Sequence, residues 1–431
     1  MAISSNLQLR RDLFWNAASS IMGSVAMVVM PIVVSRSAGV AAAGVFILAT
    51  AIGQQFQMLG AYSVRAYQVT DVVPRFPFGV YLSGRLITTL AMIIGIVTMV
   101  LVSAKPGQDL LLITLVAMLR VFDALEDVFY GEFQRIGRLD IAGRSNFSRI
   151  VVSLVAFIGV IYATDSLLIA TSVTTAVSLV AMILLVVLPA KQLFAIAPVF
   201  DWRAVRTLLL TCTPLFAGAF LSMYLDNAPR FAVDAFMDAD SLAHYGFIFM
   251  PALAINVLVM FIFRPLQTRM AHRWAGRDYQ GVWSLIRAGF LTIAVASLVT
   301  LVACYFFGVP VLSWLYEADL GGLRGPLMVL VVGGVLNAVG IVLYYLLATM
   351  RKQRLILIAY AVSAASVWGL AQLLVPGYGI MGAAVAYTAS MGILAALFAI
   401  QIAIAMRAEI RAAASRSQPL NAAEDGDDKR S

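Results

Sequence analysis

Apolar stretches of about 20 residues, the length that spans a bilayer, recur along this chain, separated by short clusters of charge. The first half gives residues 14–35, 41–62, 81–102, 110–130, 147–163 and 167–188. The second gives 205–225, 243–263, 288–307, 326–349, 355–374 and 380–405. Each predicts a membrane-crossing helix, so the expected fold is all-α and polytopic, with twelve transmembrane helices. One stretch breaks the pattern. Behind the apolar run 110–118 stand Arg120, Asp123, Glu126 and Asp127, where a membrane helix should be most hydrophobic. A charge at the centre of a bilayer helix costs at least about 2.5 kcal/mol. On a helix Arg120, Asp123, Asp127 and Tyr130 fall at i, i+3, i+7 and i+10, one stripe, with Glu126 to its side. Lipid offers such a stripe no partner, so it must face protein or water.

Composition narrows the class. Hydrophobic residues make up 62% of the chain and charged residues 12%, about half the charge of a soluble domain, and no soluble domain of useful size fits between the spans. Of the 30 lysines and arginines, 24 fall at the termini and in the even-numbered connections. The exceptions are Arg36, Lys105, Arg230 and Arg324 in odd-numbered connections, and Arg85 and Arg120 inside spans. The positive-inside rule then puts both termini in the cytoplasm of a multi-pass cell-membrane protein. The net charge of +8 is a topology signal facing anionic lipid, and no nucleic-acid partner is expected. The first apolar run lacks a cleavage pattern and is long enough to span, which predicts a retained helix. Cys212 and Cys304 both lie in apolar segments, which argues against a disulfide or a metal site. The sequence holds no nucleotide-binding glycine loop, metal-ligand spacing or nucleophile elbow. Neither catalytic residues nor a metal are expected.

The two halves resemble each other weakly. "AGVFILATAIG" opens the second span and "YGFIFMPALAI" the eighth, while Pro31 and Pro214 interrupt the first and seventh. Six spans is an even number, so both halves insert the same way round. Such repeats are related by an axis along the membrane normal, with a site between them near the midplane. We expect two pseudo-symmetric six-helix bundles, an N-terminal lobe over 1–190 and a C-terminal lobe over 205–406. A cytoplasmic linker over 191–204 joins them, and a disordered tail over 407–431 follows.

Candidate polar contacts gather in the first half. Gln54, Met58, Ala61 and Arg65 share a face of the second span, with Gln57 adjoining; Arg85 lies about one turn into the third and Arg149 just inside the fifth. The planar fork of arginine suits a phosphate or diphosphate. Each has a plainer alternative. Arg120 and its acids also fit an internally satisfied network that locks helix packing. Arg36, Arg85 and Arg149 also fit snorkelling anchors, and Gln54, Gln57 and Asn256 fit interhelical hydrogen-bond glue.

The segments "FWNAASSIMGSVAMVVMPIVVSRSAGVAAAGVFILATAIGQQF", "YGEFQRIGRLDIAGRSNFSR", "MPALAINVLVMFIFRPL" and "PGYGIMGAAVAYTAS" resemble the polysaccharide-export flippases (Wzx type) of the multidrug/oligosaccharidyl-lipid/polysaccharide (MOP) superfamily. The resemblance runs across all twelve spans. It implies two six-helix bundles around a cavity and movement of a polyprenyl-diphosphate-linked oligosaccharide from the inner to the outer leaflet. It carries over substrate contacts to Arg36, to Arg120, Asp123 and Asp127, to Arg149, and to Asn227 and Arg230. Lipid II flippases of the superfamily usually have two more helices, and its drug exporters generally have fewer cavity arginines. No cofactor is expected beyond a coupling ion, proton or sodium; the implied partners are the lipid-linked oligosaccharide, membrane lipids and a polysaccharide polymerase machinery. A drug or metabolite antiporter of the same superfamily is the alternative. A membrane glycosyltransferase or polymerase ranks last, because the longest connections away from the cytoplasm, 226–242 and 308–325, are short for a catalytic loop.

Overall fold

The computed structural model describes residues 2–71, 75–103, 109–276, 278–350 and 352–424. They form helices joined by short turns. The first lobe contains α1 (Ala2–Ala38), α2 (Val40–Ala61), the short α3 (Val64–Thr70), α4 (Phe78–Val102), α5 (Leu110–Arg135), α6 (Leu139–Thr164), α7 (Leu167–Met182) and α8 (Leu188–Leu193). The second contains α9 (Trp202–Phe236), α10 (Ala239–Ala275), α11 (Tyr279–Ala303), α12 (Val309–Tyr316), α13 (Arg324–Thr349) and α14 (Gln353–Glu424). One π-turn joins α7 to α8 and another joins α11 to α12. A helix satisfies its own backbone, which is why a chain this apolar takes that form in a bilayer.

Among the described residues, nine helical segments are long and apolar enough to cross a membrane. The segment in α14 folds back on itself at Gly379, whose φ of 56° and ψ of −132° suit a residue without Cβ, so it supplies the eleventh and twelfth crossings. Charged α5 and long α10 complete the set, and the protein is a multi-pass membrane protein. Successive crossings alternate in direction. The start of α1 and the end of α14 therefore lie on one face, termed here the terminal face, and the start of α2 and the end of α12 lie on the opposite face.

Several element ends differ from expectation. Helix α9 runs to Phe236 where the apolar run stops near residue 225, because Asp226 and Arg230 find protein neighbours and need not leave the helix. The expected connection 226–242 shrinks to a turn at Met237 and Asp238, and α12 occupies much of 308–325. The alanine-rich stretch after Arg407 continues α14 through Glu424, as the helix propensity of alanine favours. Residues 425–431 of that tail lie outside the described residues. Cys212 and Cys304 are free and buried.

Within the first lobe α1 packs on α6, and α5 on α2 and α4; within the second α13 packs on α14 and α10, and α14 on α9. The lobes meet where α2 lies against α9 and α10, α4 against α9, and α1 against α12. Gly53 sets how closely α2 approaches α5. A Cβ there would stand 2.7 Å from the Ala117 carbonyl oxygen and 3.0 Å from Cγ of Arg120.

Candidate functional site

A cavity of about 1150 Å³ lies between the lobes, with most of its wall on the first. It runs from the terminal end, where Asn16, Arg65 and Leu139 line it, to a deep end lined by Phe46, Asp226 and Arg230. The α5 stripe forms the wall between. Arg120, Asp123, Asp127 and Tyr130 all line the cavity, while Glu126, one helical step aside, is fully buried.

The charges of this wall form two linked clusters. In the first, Arg120 Nη1 donates to Asp123 Oδ2 at 3.0 Å, and Arg149 of α6 bonds the other oxygen of the same carboxylate. Arg149 also donates through Nε to Glu126 at 2.8 Å, whose same oxygen accepts from the Tyr130 hydroxyl at 2.7 Å. Asn146, one turn before Arg149, accepts from it at 3.3 Å and donates to Ser19 of α1 at 2.6 Å. In the second cluster Asp127 accepts from Arg85 Nη2 at 2.7 Å and lies 3.5 Å from Arg65 Nη1. Arg85 gives its other terminal nitrogen to the Gly60 carbonyl at 2.5 Å, and Arg65 donates to Gln134 at 3.1 Å. The Arg65 guanidinium, 6.0 Å from the centre of the Tyr130 ring, bridges the two.

Asp123 and Asp127 are thus each shared by two arginines, and Arg149 also serves Glu126. Four arginines (Arg65, Arg85, Arg120, Arg149) meet three carboxylates (Asp123, Glu126, Asp127), which leaves the wall one positive charge in excess. Arg85 is inaccessible, whereas the Arg65 and Arg120 side chains keep 32% and 31% of their surface exposed. These two can take an anion from the cavity without leaving a carboxylate unpaired, since Asp127 retains Arg85 and Asp123 retains Arg149.

The second lobe contributes less charge. Arg230 of α9 donates to Asn227 at 2.8 Å and stacks 4.7 Å from the Phe249 ring centre. Asn227 donates to the Ala51 carbonyl of α2 at 3.3 Å. Asp226 accepts at 3.5 Å from Tyr387, which accepts at 3.3 Å from Asn337.

Of the residues expected at the site, Gln54, Arg65, Arg120, Asp123, Asp127, Arg149 and Arg230 line the cavity. Three do not. Arg85 is buried behind Asp127, and Asn227 is buried between Arg230 and α2. Arg36 sits at the opposite face, bonded to backbone carbonyls of α12, because it is the last basic side chain of α1. The expected grouping of Arg120 with both aspartates also differs: Asp127 belongs to Arg85 and Arg65. Asp226, Gln134 and Asn146 line the cavity and were not anticipated. Asn146 was discoverable from its i, i+3 spacing to Arg149; Asp226 was missed because the apolar run ends one residue before it. Among the described residues no group of three or more histidine, cysteine or acidic side chains is placed to hold a metal.

No family model matches the sequence, and no curated protein matches it. Solved structures do. An inward-facing multidrug resistance MATE family transporter of the MOP superfamily is similar over 94% of this chain and 99% of its own, at 14% identity and a TM-score of 0.63. The lipid II flippase MurJ, in an inward closed conformation, is similar over 90% of this chain and 87% of its own, at 13% identity and a TM-score of 0.69. A MOP superfamily transporter from Pyrococcus furiosus, whose binding pocket is described as of reverse polarity, is similar over 94% of this chain and 95% of its own, at 14% identity and a TM-score of 0.56. At these identities the likeness is one of fold, and the chain has the two-lobed fold of the MOP superfamily.

Proposed function

We propose that this protein is a flippase that moves a polyprenyl-diphosphate-linked oligosaccharide from the cytoplasmic to the outer leaflet by alternating access of its two lobes, 1–190 and 205–406. The bias of basic residues toward the terminal face supports a cytoplasmic position for both termini, so the cavity reaches the side on which such a substrate would be made. The observation that carries the proposal is the pair of cavity arginines, Arg65 and Arg120, each one-third exposed and each sharing its carboxylate with a second arginine. A diphosphate and several sugars cannot cross about 30 Å of hydrocarbon unaided. A wall that offers guanidinium groups to the diphosphate and Gln54, Gln134 and Asn146 to sugar hydroxyls lowers that barrier, while the polyprenyl tail stays in lipid. Likeness of fold to a lipid II flippase supports a lipid-linked substrate. Likeness to a multidrug transporter favours the second reading, a drug antiporter, but a wall with an excess positive charge is a poor host for cationic drugs.

The test is binding of farnesyl diphosphate, a soluble stand-in for the lipid head, to the purified protein. Arg120→Ala and Arg65→Ala are each expected to weaken it about tenfold or more, the scale of a charge-assisted hydrogen bond. Arg→Lys restores charge but not the two-pronged contact. Failure of the wild-type protein to bind the diphosphate, together with uptake of a cationic dye, would establish the antiporter instead.

A further inference from the structure

Beyond the deep end of the cavity, at the opposite face, lies a set of contacts that the substrate chemistry does not use. Helix α12 stops at Tyr316, and the last carbonyls of a helix have no partner within it. Here three of them are taken by α1 of the other lobe. Arg36 donates through Nη2 to the Trp314 carbonyl at 2.7 Å and through Nε to the Leu315 carbonyl at 2.9 Å. The Ser35 hydroxyl donates to the Tyr316 carbonyl at 2.6 Å. The guanidinium also lies 5.5 Å from the Trp314 ring centre and 3.5 Å from the Glu317 carboxylate. A cation at a helix C-terminus is favoured by the partial negative charge gathered there. Beside this contact α2 presses on α10 so closely that a Cβ at Gly44 would collide with the Ala239 carbonyl, and one at Gly246 would stand 2.6 Å from Ile47.

Resting on the alternating-access function above, we propose that Arg36 is a latch: it caps α12 across the lobe boundary, holds the cavity shut at the opposite face, and releases when the lobes part there. The chemistry suits a reversible closure. All three bonds run from side chains of one lobe to backbone of the other, so separation leaves Arg36 and the α12 end each able to take water in place of its partner. Ser35 is buried and loses its cover only on opening. The latch thereby biases the resting protein toward the state in which the cavity communicates with the terminal face.

Spin labels on the full chain in nanodiscs test this. Cysteines replace exposed Ala41 of α2 and Gly322 beyond α12, with buried Cys212 and Cys304 changed to alanine, and pulsed dipolar spectroscopy reads the distance between the labels. Arg36→Ala is expected to raise the ratio of long-distance to short-distance molecules about tenfold, as loss of hydrogen bonds to a charged group implies. Arg36→Lys should raise it less. Ser37→Ala, whose hydroxyl bonds the Val33 carbonyl of its own helix, should leave it unchanged. Ser35→Ala, with the same expected direction and a smaller effect, serves if Arg36→Ala does not fold. Unchanged distances in both latch variants would overturn the proposal. So would weakened farnesyl diphosphate binding in Arg36→Ala with distances unmoved, which would make Arg36 a substrate contact. Distances that respond to Arg36 in a protein that binds no diphosphate support the latch and overturn the substrate proposal alone.

Discussion

Helices α5 and α13 hold corresponding places, the fourth crossing of each lobe, and their chemistry is opposite. Helix α5 carries Arg120, Asp123, Glu126, Asp127, Glu132 and Arg135; α13, after Arg324 at its first position, has no charged residue. Asn337, its one carboxamide, donates to the hydroxyl of Tyr387 at 3.3 Å. Both helices are central to their lobes, α5 against α2 and α4, α13 against α10 and α14. The fold repeats and the polar function does not. Under the proposed function, one lobe grips the substrate and the other supplies a closely packed surface for it to move against.

The largest effect should come from breaking the α5 network at its hub. Arg149 is nearly buried and holds both Asp123 and Glu126. Arg149→Ala leaves Glu126 buried and uncompensated, and removal of one partner of a buried pair typically costs about 3–5 kcal/mol. We expect a lowered melting temperature in detergent, with much of the loss recovered by Arg149→Ala combined with Glu126→Gln. Equal melting temperatures for the wild type and the single variant would show that the network carries no structural weight.

A smaller effect sharpens the contrast between hub and rim. Arg120→Ala leaves Asp123 on Arg149, and the exposed pair it removes contributes about 1 kcal/mol or less. Its melting temperature should therefore stay near that of the wild type even as diphosphate binding falls, which separates a binding role from a structural one. A melting loss as large as that of Arg149→Ala would place Arg120 in the scaffold.

The smallest effects belong to the second lobe. Asn337→Leu in α13 should cost about 1 kcal/mol, the net worth of a hydrogen bond, with farnesyl diphosphate binding unaltered; reduced binding would mean that α13 shares the polar task. Asp238 caps α10 by accepting from the Ser241 amide at 2.8 Å. Hydrogen bonds from Ser241 hold its carboxyl below the usual carboxylate range. A group whose folded pKa is depressed stabilises above its unfolded value, near 3.9, and that share is lost as pH falls through the folded value. Asp238→Ala should therefore destabilise by a few tenths of a kcal/mol up to about 1 kcal/mol at neutral pH and by less at a pH below both values.

The crossings were legible because an apolar run of bilayer length has one stable outcome. Their ends were not, since the hydrophobic signal stops where charge begins, while Asp226 and Arg230 remain helical once they have protein partners. The α5 stripe was legible from its spacing alone. Its pairing was hidden, because Arg85, Arg65 and Arg149 arrive from three other helices and the stripe itself records only which side chains face together. Arg36 illustrates the limit. Its partners lie 278 and 279 positions away, and a lone arginine at a helix end reads equally as anchor, ligand or lock.

The double sharing of the α5 carboxylates has a mechanical consequence. Asp123 ties α5 to α6, and Asp127 ties it to α3 and α4, so charged cross-braces run in two directions from one beam. A lattice braced in this way resists shear, since sliding α3, α4 or α6 past α5 must stretch at least one of these ion pairs. The seam to the second lobe is held more lightly at mid-depth, by single links such as Gln55 to the Phe220 carbonyl and Tyr62 to Thr213. On the alternating-access function proposed above, compliance would concentrate in this lightly held seam, and the first lobe would turn as a stiff body on a soft hinge line.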